Sequence, residues 1–193
     1  YTGATTISAG SVKVTGTLSD STAVSVGTNG VYDVDGTDTI ASIAGAGIVD
    51  VAPGITLSAG NNSTATTFSG TLRSSQVYTD GVVSTAFGSF TKIGSGMLVL
   101  TSQLSTYSGG TINNAGTLKL AATSVGSLGS ATSGPIGTGS LTNNAILDVD
   151  GNLIHNTKNN NGSIINKPVP VTNFSSSSLA VIYGDTVTNN FTT

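Results

Sequence analysis

The stretch Lys92–Ala121, KIGSGMLVLTSQLSTYSGGTINNAGTLKLA, decides the fold. Within it Gly96-Met97-Leu98-Val99-Leu100 and Gly116-Thr117-Leu118-Lys119-Leu120 repeat one pattern: a glycine, then apolar residues at every second position. Period-two alternation puts two apolar side chains on one face of a short strand, and the glycine marks the turn that enters it. The same pattern recurs at Gly10-Ser11-Val12-Lys13-Val14, Gly30-Val31-Tyr32-Asp33-Val34 and Gly47-Ile48-Val49-Asp50-Val51, with Ala145-Ile146-Leu147-Asp148-Val149 as a variant. The glycines are spaced by 20 residues (10 to 30), 17 (30 to 47) and 20 (96 to 116). One such strand cannot bury its own apolar face.

Longer segments repeat as well. YTGATTISAGSVKV from Tyr1 aligns without gaps on YSGGTINNAGTLKL from Tyr107, and NGVYDVDG from Asn29 aligns on NAILDVDG from Asn144. A period near 20 residues with strands this short predicts an all-β solenoid, in which each coil of chain stacks on the next. The expected inner ladder is Val12, Val14, Tyr32, Val34, Val49, Val51, Leu98, Leu100, Leu118, Leu120, Leu147 and Val149. About eight coils at ~4.8 Å per layer make a rod on the order of 40 Å long from residues 1–165. A β-sandwich is the competing architecture, because short strands punctuated by turns also build one.

Composition supports the all-β reading and excludes several functions. Of 193 residues only 8% are charged and 37% hydrophobic, with 26 glycines, and all nine acidic residues are Asp. Aliphatic residues recur along nearly the whole length, which a disordered chain would lack. The net charge of −3, with five Lys and one Arg scattered, gives no phosphate-binding patch, so no nucleic-acid partner is expected. No run approaches the ~20 apolar residues of a membrane span, so no membrane insertion is expected of this segment. Cysteine is absent, which removes disulfides and thiolate metal sites. The chain starts inside a repeat, so it is expected to be a mature or excised piece of something longer.

The segments TIASIAGAGIVDV (39–51), TTFSGTL (66–72), FTKIGSGMLVLTS (90–102), STYSGGTINNAGTLKL (105–120) and LTNNAILDVDGN (141–152), in this order, resemble the passenger-associated repeat of bacterial autotransporters and related secreted exoproteins. The most specific part runs from Lys92 to Leu120. The resemblance covers about residues 1–165. It implies a right-handed parallel β-helix, export across an outer membrane, and a role at the bacterial cell surface as a stalk or adhesin.

From residue 166 onward the pattern changes. Pro168 and Pro170 interrupt ladder pairing, and Ser175–Ser178 look like a flexible joint. LAVIYGDTVTNNF resembles the opening strands of a small all-β module carrying a YGD motif, matched by Tyr183, Gly184 and Asp185. Residues 166–193 are therefore expected to be a linker and an extended β tail. Leu179, Val181, Tyr183, Val187 and Phe191 would pair with another molecule or belong to a following module.

Chemistry is sparse. Asp33 and Asp35, echoed by Asp148 and Asp150, are carboxylates two apart that could hold Ca²⁺ if a neighbouring coil supplied more oxygens. The nonapeptide spacing of calcium β-rolls is missing, so a solvated outer face is expected instead. His155 is the single histidine, and no G-x-S-x-G elbow occurs. A carbohydrate-active groove would draw on Arg73, Lys92 and Asp80. Asn113, Asn114, Asn143, Asn144 and Asn159–Asn161 suit turns and hydrogen-bonded ladders. No catalytic residue, metal or cofactor is expected. Expected partners are other copies of the chain, adjoining β modules, and host or surface glycans or proteins. Any recognition is expected from Asn61–Thr67 and Ala122–Gly139. Three roles stay open: an adhesin stalk segment, a subunit of an end-to-end fibre, and a β-helix carbohydrate enzyme.

Overall fold

A computed structural model describes residues 2–75, 78–79, 82–83 and 87–166. The expectations for Tyr1, Asp80 and the tail residues Leu179, Val181, Tyr183, Val187 and Phe191 lie outside them. No helix occurs among the described residues, and every strand outside two antiparallel hairpins pairs in parallel with a neighbour one coil away. The fold is a parallel β-solenoid with three faces.

Thr5–Val14 and Ala23–Val34 each run across a corner, so that their two halves lie on different faces. Residues 5–7 and 23–26 start the first face, which continues through Ser42–Gly45, Thr66–Phe68, Met97–Leu100, Thr117–Leu120, Ile146–Asp148 and Ser163–Ile165. Residues 9–14 and 31–34 start the second, followed by Ile48–Val51 and Thr71–Arg73. Beyond Arg73 this face proceeds without regular strands, held by Thr106 N–H to the Leu72 carbonyl (3.0 Å) and Gly134 N–H to the Ser105 carbonyl (3.1 Å). The third face stacks Asp38–Ile40, Thr56–Ala59, Ser89–Lys92, Thr111–Asn113, Leu141–Asn143 and Lys158–Asn160. Eight layers at ~4.8 Å give a stack on the order of 35 Å.

Stacking explains the glycines. At Gly116 φ is +68°, and a Cβ there would sit 2.4 Å from the Gly96 carbonyl oxygen of the preceding coil. At Gly47 it would lie 2.2 Å from the oxygen of Gly27. A side chain at either corner would wedge the layers apart.

The interior differs from the expected ladder in two respects. Tyr32, Val34, Val49 and Val51 are buried on the second face, whereas Leu98, Leu100, Leu118, Leu120, Leu147 and Val149 are buried on the first. The expected single ladder is therefore two ladders on different walls. Val12 is the other correction: it pairs in register with Tyr32 yet is 40% exposed. Its strand is the end layer of the described stack, so a neighbouring coil covers it on one side alone. Val14, in the same strand, is half-buried.

Two insertions interrupt the coils, between Arg73 and Ser89 and between Leu120 and Leu141. Each carries an antiparallel hairpin: Tyr78–Thr79 with Val82–Val83, and Val125–Ser127 with Ser130–Ser133. The second insertion holds the expected irregular stretch Ala122–Gly139. Asn61–Thr67 is more regular than expected. Its end joins the strand Thr66–Phe68, and its turn is fixed by Asn62 Oδ1 accepting from Thr64 N–H (3.2 Å) and Thr64 Oγ1 (2.9 Å).

Leu118 is fully buried, and its neighbour Lys119 points outward to an ion pair with Asp150 (2.8 Å). Leu118→Asp removes ~1.5–3 kcal/mol of apolar burial and leaves a carboxylate with no partner inside. It is expected to unfold the stack. Lys119→Ser loses a surface pair worth about 0–1 kcal/mol. Urea titrations followed by far-UV circular dichroism check this contrast, and equal effects would refute the inward and outward assignment.

Candidate functional site

Two groups of polar side chains stand out, one outside the solenoid and one within it. Outside, the second face carries Lys13, Asp33, Asp50 and Arg73 in register on four successive coils. Lys13 Nζ lies 2.5 Å from Asp35 and 3.8 Å from Asp33. Its ammonium is held above the usual lysine range, first by the hydrogen bond and charge of Asp35 and then by Asp33. Partial burial pushes Asp33 upward, and the Asp35 charge adds to the shift. Arg73 Nε is 2.8 Å from Asp50, which also accepts from Ser75 N–H (2.8 Å) and Ser75 Oγ.

The carboxylates considered for Ca²⁺ are thus separated. Asp33 and Asp35 share Lys13 near one end of the rod. Far along the first face, Asp148 accepts from the Asp150 amide (2.9 Å), and Asp150 takes Lys119. Among the described residues no three acidic or histidine side chains converge as metal ligands would. His155 is half-buried, with its carbonyl bound by Gly129 N–H (2.6 Å) and its Nδ1 enclosed without a partner.

Inside, the third-face wall mixes apolar residues with polar ones. Ile40, Ala59, Lys92, Asn113, Asn143 and Asn160 occupy one inward column in register. Asn113 Nδ2 donates to Asn143 Oδ1 (2.7 Å), and Asn143 Nδ2 donates to Asn160 Oδ1 (2.7 Å). The same amides reach carbonyls at the corners: Asn113 to Ile146 (2.8 Å), Asn143 to Ala145 and Ser163 (3.2 Å each), and Asn160 to Gly162 (3.1 Å). Lys92 begins this series. Its residue is 1% exposed, and Nζ donates to the carbonyls of Ile93 (2.6 Å), Gly94 (2.9 Å) and Ala115 (3.0 Å).

The sequence makes Lys92 a candidate for a surface groove with Arg73 and Asp80. It lies in the interior instead, and Arg73 is occupied by Asp50. A further buried polar group, Asp38, escaped the sequence reading. Asp38 accepts from Leu18 N–H (3.2 Å), Thr39 N–H (2.9 Å) and Tyr32 OH (3.1 Å), which joins the first two coils. Burial, then the Asp38 charge, pushes the Tyr32 phenol far up. Tyr107 is buried with its hydroxyl on Thr111 Oγ1 (2.5 Å), and burial raises its phenol too. The outward column of the third face, Thr39, Ser58, Thr91, Ile112, Thr142 and Asn159, carries no charge.

Burial pushes the Lys92 ammonium down to about 8. The unfolded chain then holds that proton more tightly than the folded one between about pH 8 and the ordinary lysine value near 10.4. The contribution of Lys92 to stability therefore rises as pH climbs through about 8. Above about pH 10 the raised phenols of Tyr32 and Tyr107 act in the opposite sense, because stability is lost as unfolded tyrosines ionise. Denaturation midpoints of the unaltered chain should gain on those of Lys92→Met between about pH 8 and 10. Parallel curves across that window would refute the assignment.

Comparison with known families gives one match. The family model of the passenger-associated-transport-repeat matches residues 1–14 and 90–120. Neither the curated proteins nor the solved structures yielded a match. The first matched segment spans a corner from the first face to the second, and the other ends on a corner from the third face to the first. The repeated unit is thus a glycine corner with its two flanking strands, usable at more than one corner of the solenoid. The repeat match and the parallel stack together fit the passenger-repeat β-helix of autotransporters, a family that implies secretion to the cell surface.

Proposed function

We propose that the chain is a non-enzymatic extracellular rod, a rigid stalk segment of a secreted cell-surface adhesin or exoprotein. The observation that carries this reading is the unbroken parallel stack of the first face, from residues 5–7 to Ser163–Ile165. Charged groups that a catalytic groove would need are engaged in holding that stack. Lys13, Arg73 and Lys119 bind aspartates between coils, and Lys92 is enclosed. Host or surface glycans and proteins are the partners this role calls for. The uncharged third face and the hairpin at residues 125–133 are the surfaces to test for them.

A second reading, a subunit of an extracellular fibre, is favoured by the end layers. Among the described residues Thr5–Val14 and Ser163–Ile165 each pair on one side alone. Val12 is 40% exposed there. Coils of another copy, or an adjoining β module, would cover these layers. Residues 166–193 are the candidate joint.

Electron microscopy and light scattering across a concentration series separate the two. Short monomeric rods are expected for a stalk segment. Filaments with a regular axial repeat that disappear on deleting residues 166–193 would establish the fibre, and compact spherical particles would refute both readings.

A further inference from the structure

A solenoid of similar coils has a specific hazard. Each coil presents much the same edge to its neighbours, so a coil can stack on the wrong partner, in its own chain or in another copy. The aliphatic ladders do little to prevent this. Leu98 and Leu100 sit on Leu118 and Leu120, and Leu147 follows Leu118. Exchanging one of these layers for another would place leucine against leucine again. The third-face column is different, because its members are not interchangeable. It reads Ile40, Ala59, Lys92, Asn113, Asn143, Asn160, two aliphatic residues followed by one ammonium and three amides.

We infer that this inward column is a register device, which favours the native coil order because there the buried donors of the column meet their acceptors. In the native order each donor is met. Lys92 fills its three protons with carbonyls of its own corner and of the next coil, Asn113 and Asn143 each reach the following amide and a corner carbonyl, and Asn160 reaches the Gly162 carbonyl. The amides all donate in one direction along the rod. Asn113 Oδ1, enclosed and without a hydrogen bond, is the terminal acceptor of the chain, in register with the coil that carries the Lys92 ammonium. Skipping a coil sets Lys92 beside Asn143, exchanges the Ala115 carbonyl for its counterpart at Ala145, and takes from Asn143 Oδ1 its Asn113 donor. Placing the Asn143 or Asn160 layer on Ala59 strands its amide oxygen against a methyl group. Each error leaves a buried amide oxygen without the donor it has in the native order. A buried polar residue that lowers stability yet fixes register is the role a single core asparagine plays in coiled coils.

The chain contains no cysteine, so disulfide trapping reads register without background. Thr91 and Ile112 are in-register outward neighbours, and Thr142 lies one coil further on. Thr91→Cys with Ile112→Cys should form an intramolecular disulfide, and Thr91→Cys with Thr142→Cys should not. Lys92→Met, Asn113→Leu and Asn143→Leu are then combined in both backgrounds. The ratio of the native cross-link, between positions 91 and 112, to skipped and intermolecular products should fall about tenfold or more, equivalent to ~1.4 kcal/mol of register preference. Dimers and larger species should appear in light scattering. Lys92→Asn, which lengthens the amide series by one, should keep the native pattern. An apolar column that stays monomeric with unchanged cross-linking would overturn the inference. Should the triple variant not fold, Asn143→Leu alone decides in the same backgrounds: altered cross-linking supports the device, and an unaltered pattern refutes it.

Discussion

Everything in this fold depends on the close parallel contact between one coil and the next. The corners set how close that contact can be. Where Gly47 and Gly116 turn, the backbone of one layer lies against the carbonyls of the layer before, nearer than any Cβ allows. Only with the corners so pinched can the strands of all three faces reach hydrogen-bonding distance at once. The ladders of leucine and valine follow from this geometry, because successive inward side chains are brought to one strand spacing and exclude water together. The low charge of the sequence follows as well: each wall needs only a few inward residues per coil, and the rest can be small and polar.

Much of this was legible in the residues. Glycine followed by alternating apolar positions correctly announced short stacked strands, and the period near 20 residues announced coils. What the sequence concealed was which wall each strand belongs to. Gly30-Val31-Tyr32-Asp33-Val34 and Gly116-Thr117-Leu118-Lys119-Leu120 look like the same element, yet one lies on the second face and the other on the first. The pattern encodes a corner and its flanking strands, and different corners of the coil can use it. An alignment of such segments therefore does not superpose coils.

The third wall was the hardest to foresee, for a physical reason. Its inward residues include Asp38, Lys92, Thr111, Asn113 and Asn143, so the alternation of apolar and polar residues that reveals a strand is lost in strands such as Thr111–Asn113. Lys92 looked like a surface residue because lysine usually is one. Nothing in a linear pattern shows that three corner carbonyls surround its ammonium. Val12 failed in the opposite direction. Its residue type and spacing suit an inner ladder, but burial there needs a coil on both sides, and the end layer has one.

The direction of the hydrogen bonds has a mechanical consequence. In this stack the chain circles the rod, and the inter-strand bonds run along its length. Pulling on the two ends would load the layers in series, so that the weakest contact yields first and the coils peel away singly. Bending and compression are met by all three walls at once. Such a rod behaves as a strut: stiff as a spacer, and extensible coil by coil under tension.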